Sequence, residues 1–143
     1  YLGNPLENFN YLNVLPENSR RLRALPAWFA LRAYGKEGFK DIVENSTSLA
    51  LHFGNALIAT ESFELLAPIR LNNVCFTLKG SHNQEKVGEF LNIVNDKGKV
   101  FMTPTVYKGR KGIRASFVNW RTNEEDIKII IEELKTSILD LEI

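Results

Sequence analysis

Val100-Phe101-Met102-Thr103-Pro104-Thr105-Val106-Tyr107-Lys108-Gly109-Arg110-Lys111-Gly112-Ile113-Arg114-Ala115-Ser116-Phe117-Val118-Asn119-Trp120 is the stretch on which the reading of the fold turns. Its first eight residues are rich in β-branched and aromatic side chains. The middle five are polar and carry two glycines, and the last eight return to strand-forming residues. Two such runs around a short glycine-containing segment read as a β-hairpin, with strands over 100–107 and 113–120.

Moving outward, Thr122 followed by Glu125 is a capping-box pattern. It opens a last helix, on which Ile127, Ile130, Ile131, Leu134 and Ile138 fall at helical spacing. Upstream, Ser81 and Gln84 repeat the capping pattern before Val87, Phe90, Leu91 and Val94, and Gly98 closes that helix. Asn73–Leu78 alternates, with Val74, Phe76 and Leu78 on one face. Phe63–Ala67 is a short strand stopped by Pro68. From about Lys36 to Thr60, Phe39, Ile42, Val43, Leu49, Ala50, Phe53 and Leu57 recur at threes and fours, which makes a long helix. Another helix is expected to start near Asn18 or Ser19, with a kink or break at Pro26 and an end at Gly35. Residues 1–18 read as loop.

The fold class is therefore α+β, a mainly antiparallel sheet covered by helices. Residues 1–35 are read as a loop and helix belonging to a larger body, 36–60 as a long connecting helix and 61–143 as the α+β domain.

The totals narrow the function classes. The chain has 143 residues, 44% of them hydrophobic and 24% charged, as in a globular domain. Eighteen basic residues against seventeen acidic ones leave a net charge of +1, which speaks against a general nucleic-acid binder. Cys75 is the single cysteine, so no internal disulfide and no C-x-x-C motif is possible. No apolar run reaches the roughly 18 residues of a membrane helix. The opening Tyr1-Leu2-Gly3-Asn4-Pro5 does not read as a signal peptide. A chain that opens on Tyr rather than Met reads as a fragment, a processed chain or a trimmed piece.

Few residues point to chemistry unaided. No phosphate-cradling glycine motif and no H-E-x-x-H occurs. His52 and His82 lack partners at ligand spacing and read as structural and surface residues. Cys75 reads as a small buried strand residue. Glu124, Glu125 and Asp126 suit the positive end of the last helix. The basic set Lys108, Arg110, Lys111, Arg114 and Arg121 reads mainly as a solvated hairpin tip. Arg114 differs because it lies within a strand. Its guanidinium can offer a planar fork to a carboxylate or phosphate, or it can pair structurally with an acid.

Four segments, taken in order, resemble the group II pyridoxal-phosphate-dependent amino-acid decarboxylases, which include the aromatic-amino-acid, histidine, glutamate, tyrosine and diaminobutyrate enzymes. They are Ser19–Gly35 with its Arg20-Arg21 pair, Gly38-Phe39 and the long helix, Phe63-Glu64-Leu65 with Asn73-Val74-Cys75-Phe76, and Thr103–Tyr107 with Ile113–Thr122 and Glu125-Asp126.

The resemblance implies the C-terminal small domain of a fold-type I enzyme and the tail of its large domain. It implies pyridoxal 5'-phosphate in the longer parent, a missing N-terminal large domain as partner, a homodimer, a small amino-acid substrate and a cytoplasmic setting. No nucleic acid or membrane is expected. By this likeness Arg114 approaches the substrate carboxylate or the cofactor side of the cleft. Tyr11 matches a loop tyrosine that protonates the reacting carbon. Arg20 and Arg21 match a structural basic pair. The family's cofactor lysine follows a histidine, and no His-Lys pair occurs here. The chain alone is therefore expected to be inactive. The alternative is a non-catalytic oligomerisation or ligand-binding module derived from such an enzyme.

Overall fold

A computed structural model describes residues 21–80 and 85–142. Among these, the order is α1 (Leu25–Ala59), β1 (Phe63–Leu65), β2 (Asn73–Leu78), α2 (Val87–Asp96), β3 (Thr103–Tyr107), β4 (Arg110–Ser116) and α3 (Glu124–Glu142). The chain forms two compact units, one ending at Phe39 and one starting at Lys40.

In the first unit the expected start near Asn18 or Ser19 lies outside the described residues. The turn over 21–24 and the positive φ of 60° at Leu22 interrupt any helix running in from there. Pro26 does not kink the helix, because it falls in the first turn, where its missing N–H has no helical partner to lose. The break comes at Gly35, with φ 65° and ψ −168°, a backbone state that only glycine adopts readily. Leu25, Trp28, Phe29, Leu31 and Tyr34 are exposed. Trp28 and Phe29 stack edge to face at 5.2 Å, and Arg32 lies 6.0 Å from the Trp28 ring centre.

The second unit is built on one four-stranded sheet of order β1-β2-β4-β3, every pair antiparallel. Alternation turns Val74, Phe76 and Leu78 of β2 inward with Ile113 and Ala115 of β4. Against that face pack Leu49, Ala50, Phe53 and Leu57 of α1, Val87, Phe90, Leu91 and Val94 of α2, and Ile127 and Leu134 of α3. Aromatic rings hold the centre. Phe76 meets Phe53 at 5.9 Å and Phe63 at 5.5 Å, Phe63 meets Phe90 at 5.7 Å, and Phe53 meets Phe117 at 5.5 Å. Because these helices share one core on one face of the sheet, the other face is left without a helix layer among the described residues of this unit.

The strand ends differ from expectation for identifiable reasons. Val100–Met102 is not strand, because the Asn95 side chain takes the Met102 backbone. Its Oδ1 accepts from the Met102 N–H at 2.9 Å and its Nδ2 donates to the Met102 carbonyl at 3.1 Å. The hairpin turn is only Lys108-Gly109, with φ 49° and 79°, the positive pair of a two-residue hairpin turn. Arg110, Lys111 and Gly112, expected in the loop, therefore belong to β4. At the far end Asn72 closes the ladder: its carbonyl accepts from the Phe117 N–H and its Nδ2 donates to the Phe117 carbonyl, both at 2.9 Å. Residues 117–120 run on outside the strand.

The expected cap of α2 at Ser81 and Gln84 lies outside the described residues, and the helix is described from Val87 without a side-chain cap. The cap of α3 is shifted by one residue from Thr122 and Glu125. Asn123 Oδ1 accepts from the Glu125 N–H at 2.8 Å, and Asp126 Oδ2 accepts from the Asn123 N–H at 2.9 Å. Asparagine is the stronger cap of the two neighbours. An ionic cluster ties α2 to α3. Lys97 reaches Asp140 at 2.7 Å and Glu133 at 3.5 Å, and Lys99 reaches Glu133 at 2.8 Å. Hydrogen bonding from Lys99 holds the Glu133 carboxyl below its usual range, and the bond to Asp140 holds the Lys97 ammonium above its own.

Candidate active-site face of the sheet

With Ile113 and Ala115 turned into the core, alternation sends Arg110, Gly112, Arg114 and Ser116 to the open face. The register sets Arg114 between Cys75 of β2 and Thr103 of β3. Arg114 thus stands mid-strand on a rigid sheet, with its side chain exposed. Only its backbone is engaged laterally, where the Thr103 hydroxyl donates to the Arg114 carbonyl at 3.5 Å. Among the described residues no acid pairs with its guanidinium.

The surrounding groups are polar and mostly satisfied. The Ser116 hydroxyl donates to Asn73 Oδ1 at 2.5 Å, and the buried Thr77 hydroxyl donates to the Lys111 carbonyl at 3.0 Å. Arg110, four residues from Arg114 on the same face, is ion-paired with Glu64 of β1. The basic set expected at the hairpin is therefore not one patch. Lys108 lies 5.5 Å from the ring centre of Tyr107, Arg121 lies 5.1 Å from that of Trp120, and Lys111 alternates to the opposite side of β4 from Arg114.

Cys75 was expected to be buried. It is half-buried and on the open face, because its neighbours Val74 and Phe76 take the inward positions. His52 is exposed on α1, beside Ile127, Ile131 and Lys135 of α3, away from Arg114. Arg21 is exposed in the turn before α1. Tyr11, Arg20 and His82 lie outside the described residues, so no geometry joins Tyr11 to Arg114. Among the described residues no His, Cys, Asp and Glu set could hold a metal ion, and no helix is long and apolar enough to cross a membrane.

Two residues of this face escape a sequence reading. Glu64 is 46 positions from Arg110 and meets it only through the strand order. Leu66 reaches over Gly112, where a Cβ would collide with its Cδ1 and lie 2.7 Å from the Phe76 carbonyl oxygen. Gly112 is thus required by close approach rather than by a turn.

A guanidinium with no acid partner, set among hydroxyls, is a donor set for a carboxylate or a phosphate. A lysine preceded by histidine occurs nowhere in this sequence.

Comparison with known proteins agrees with this architecture. Residues 11–79 match the pyridoxal-dependent decarboxylase conserved domain. The chain is 32% identical over 123 residues to the aromatic-L-amino-acid decarboxylase of Drosophila melanogaster, covering 86% of this chain and 24% of that one. It is equally similar, 32% over 123 residues with the same coverage, to the 3,4-dihydroxyphenylacetaldehyde synthase of that species. Among solved structures, tryptophan decarboxylase of Catharanthus roseus in complex with L-tryptophan superposes with a TM-score of 0.75 at 26% identity, over 85% of this chain and 27% of that chain. The chain spans about a quarter of the length of the curated relatives it matches. In its sheet, its helix layer and its sequence over residues 11–79, this chain resembles the pyridoxal-dependent decarboxylases.

Proposed function

We propose that the chain is the C-terminal lobe of a pyridoxal-phosphate-dependent L-amino-acid decarboxylase, a carboxy-lyase that releases carbon dioxide and an amine. In this reading the open sheet face forms one wall of the active-site cleft. The other wall comes from a large cofactor domain, and the whole works as a cytoplasmic homodimer. Residues 1–35 belong to the end of that large domain, 36–60 connect, and 61–143 form the small domain. The observation that carries the reading is Arg114, a strand-mounted guanidinium exposed and without an acid partner among the described residues of a family fold.

Pyridoxal phosphate, when bound by the longer protein, supplies an electron sink for the bond to the departing carboxyl group. The residues of this chain bind and orient. The Arg114 fork holds an oxyanion through paired N–H donors, which fixes the plane of a carboxylate as well as its position. The Tyr11 hydroxyl serves as the acid that returns a proton to the α-carbon. The relatives include both a decarboxylase and an aldehyde synthase at the same identity. Amine release is the reading that goes with a tyrosine at position 11.

The test is made in the full-length protein. Arg114→Ala is expected to lower kcat/KM by roughly 10- to 100-fold, the worth of a charge-assisted hydrogen bond. Arg114→Lys, which keeps the charge without the fork, is expected to recover only part of this. Tyr11→Phe is expected to lower amine formation by about 100-fold. Carbon dioxide and amine are measured together. An Arg114→Ala enzyme with unchanged kcat/KM would remove the arginine from the site.

A further inference from the structure

The register of the sheet raises a question that the ion pairs alone do not answer. Glu64 sits opposite Thr77, and continuing the β2–β4 register puts Thr77 opposite Gly112. Glu64 is therefore level with Gly112. Arg110 and Arg114 stand on either side of it on the same face, each two residues away, about 6.8 Å along the strand. By register two arginines of β4 flank the level of the carboxylate. It pairs with Arg110, and Arg114 is left with no acid among the described residues.

Leu66 distinguishes the two sides. Its backbone N–H donates to the Cys75 carbonyl at 2.8 Å, which places Leu66 in the same cross-strand row as Cys75 and Arg114. Its Cδ1 occupies the space a Gly112 side chain would fill, and Gly112 is buried as a result. That space lies between the Cβ positions of Arg110 and Arg114. The Glu64 carboxylate would have to cross an apolar methyl to reach Arg114, giving up hydration on the way. Glu64 reaches Arg110 directly.

We propose that Leu66, seated on Gly112, is a positioning residue that confines Glu64 to Arg110 and so keeps the Arg114 guanidinium available for an external oxyanion, a carboxylate or phosphate. The inference rests on the proposed role of Arg114 and adds what preserves it. An acid already on the face would otherwise compete with the ligand for the same fork. Arg110 acts as the acceptor for that acid, and Leu66 with Gly112 acts as the partition.

The test is a double-mutant cycle on this chain, read by the rate at which phenylglyoxal modifies each arginine, followed by peptide mass spectrometry. An ion-paired guanidinium reacts more slowly than a free one. In the unaltered chain Arg114 is expected to react faster than Arg110. Arg110→Ala alone should leave the Arg114 rate unchanged, because the partition still stands. Leu66→Ala alone should also leave it unchanged, because Arg110 still holds Glu64. Together they should slow Arg114 by about two- to threefold, the scale of an exposed ion pair. Adding Glu64→Gln to the double variant should restore the original rate.

If Leu66→Ala loosens the fold by circular dichroism, Leu66→Thr removes the long methyl arm with a residue suited to strands and is expected to behave the same way. An Arg114 rate that stays constant across the cycle, or that falls with Arg110→Ala alone, overturns the partition. The labelling uses no substrate, so it stands apart from the kinetic test. Loss of the cycle with an Arg114-dependent enzyme removes only the partition. An intact cycle with an Arg114-independent enzyme removes only the catalytic reading.

Discussion

The two faces of the sheet are made from the same strands and follow opposite rules. On the core face, Val74, Phe76, Leu78, Ile113 and Ala115 are buried against three helices. On the open face, the same strands present Asn73, Cys75, Arg110, Arg114 and Ser116, none of them fully buried, with Thr77 and Gly112 as the buried exceptions. Burial of the first set fixes the register, since a slip of one residue would bring the polar set inward. Once that register is fixed, the second set is held in place by a scaffold it does not have to stabilise. Residues so placed are free to meet a ligand. The difference between the faces is therefore a difference in what each side chain is required to do.

The largest expected effect tests the core face. Phe76 is fully buried and its ring meets those of Phe53 and Phe63. Phe76→Ala is expected to cost about 3–5 kcal/mol in urea unfolding, from lost transfer energy and the cavity left behind. A cost under about 1 kcal/mol would mean that this face is loosely packed, and the contrast would fail. Gly112→Ala probes a place where packing crosses to the open face. Leu66 can swing aside from a new methyl, but the Phe76 carbonyl, 2.7 Å away, is backbone and moves less easily. The expected cost is about 1–3 kcal/mol. A neutral Gly112→Ala would show that the Phe76 carbonyl does not approach position 112 this closely in solution.

Much of the core face was legible because alternation is a local signal. Val74, Phe76 and Leu78 face inward as their spacing predicts, and the same counting puts Arg114 outward between Ile113 and Ala115. Strand ends were less legible, because they depend on side chains that compete for backbone groups. Asn95 takes the Met102 backbone out of the ladder, and Asn123 takes the cap of α3 from Thr122. The pairing of Glu64 with Arg110 was not legible at all. It requires the order β1-β2-β4-β3, and no local pattern in the sequence encodes which strands become neighbours. Cys75 was misread for a simpler reason: small apolar residues are usually buried, and here the strand parity set by Val74 and Phe76 overrides that tendency.

The smallest expected effect separates the faces most cleanly. Arg114 is exposed and no described acid pairs with its side chain, so Arg114→Ala is expected to change stability by no more than about 0.5 kcal/mol in urea unfolding. What remains to be lost is some packing of its aliphatic stem against Cys75 and Thr103, its cross-strand neighbours. A loss above about 1 kcal/mol would show that the guanidinium is already engaged in the folded chain. The open face would then obey the same rule as the core face, holding the sheet together rather than standing ready for a ligand. A near-zero stability change combined with a large loss of kcat/KM in the full-length protein is the pattern expected of a residue that the scaffold carries but does not need.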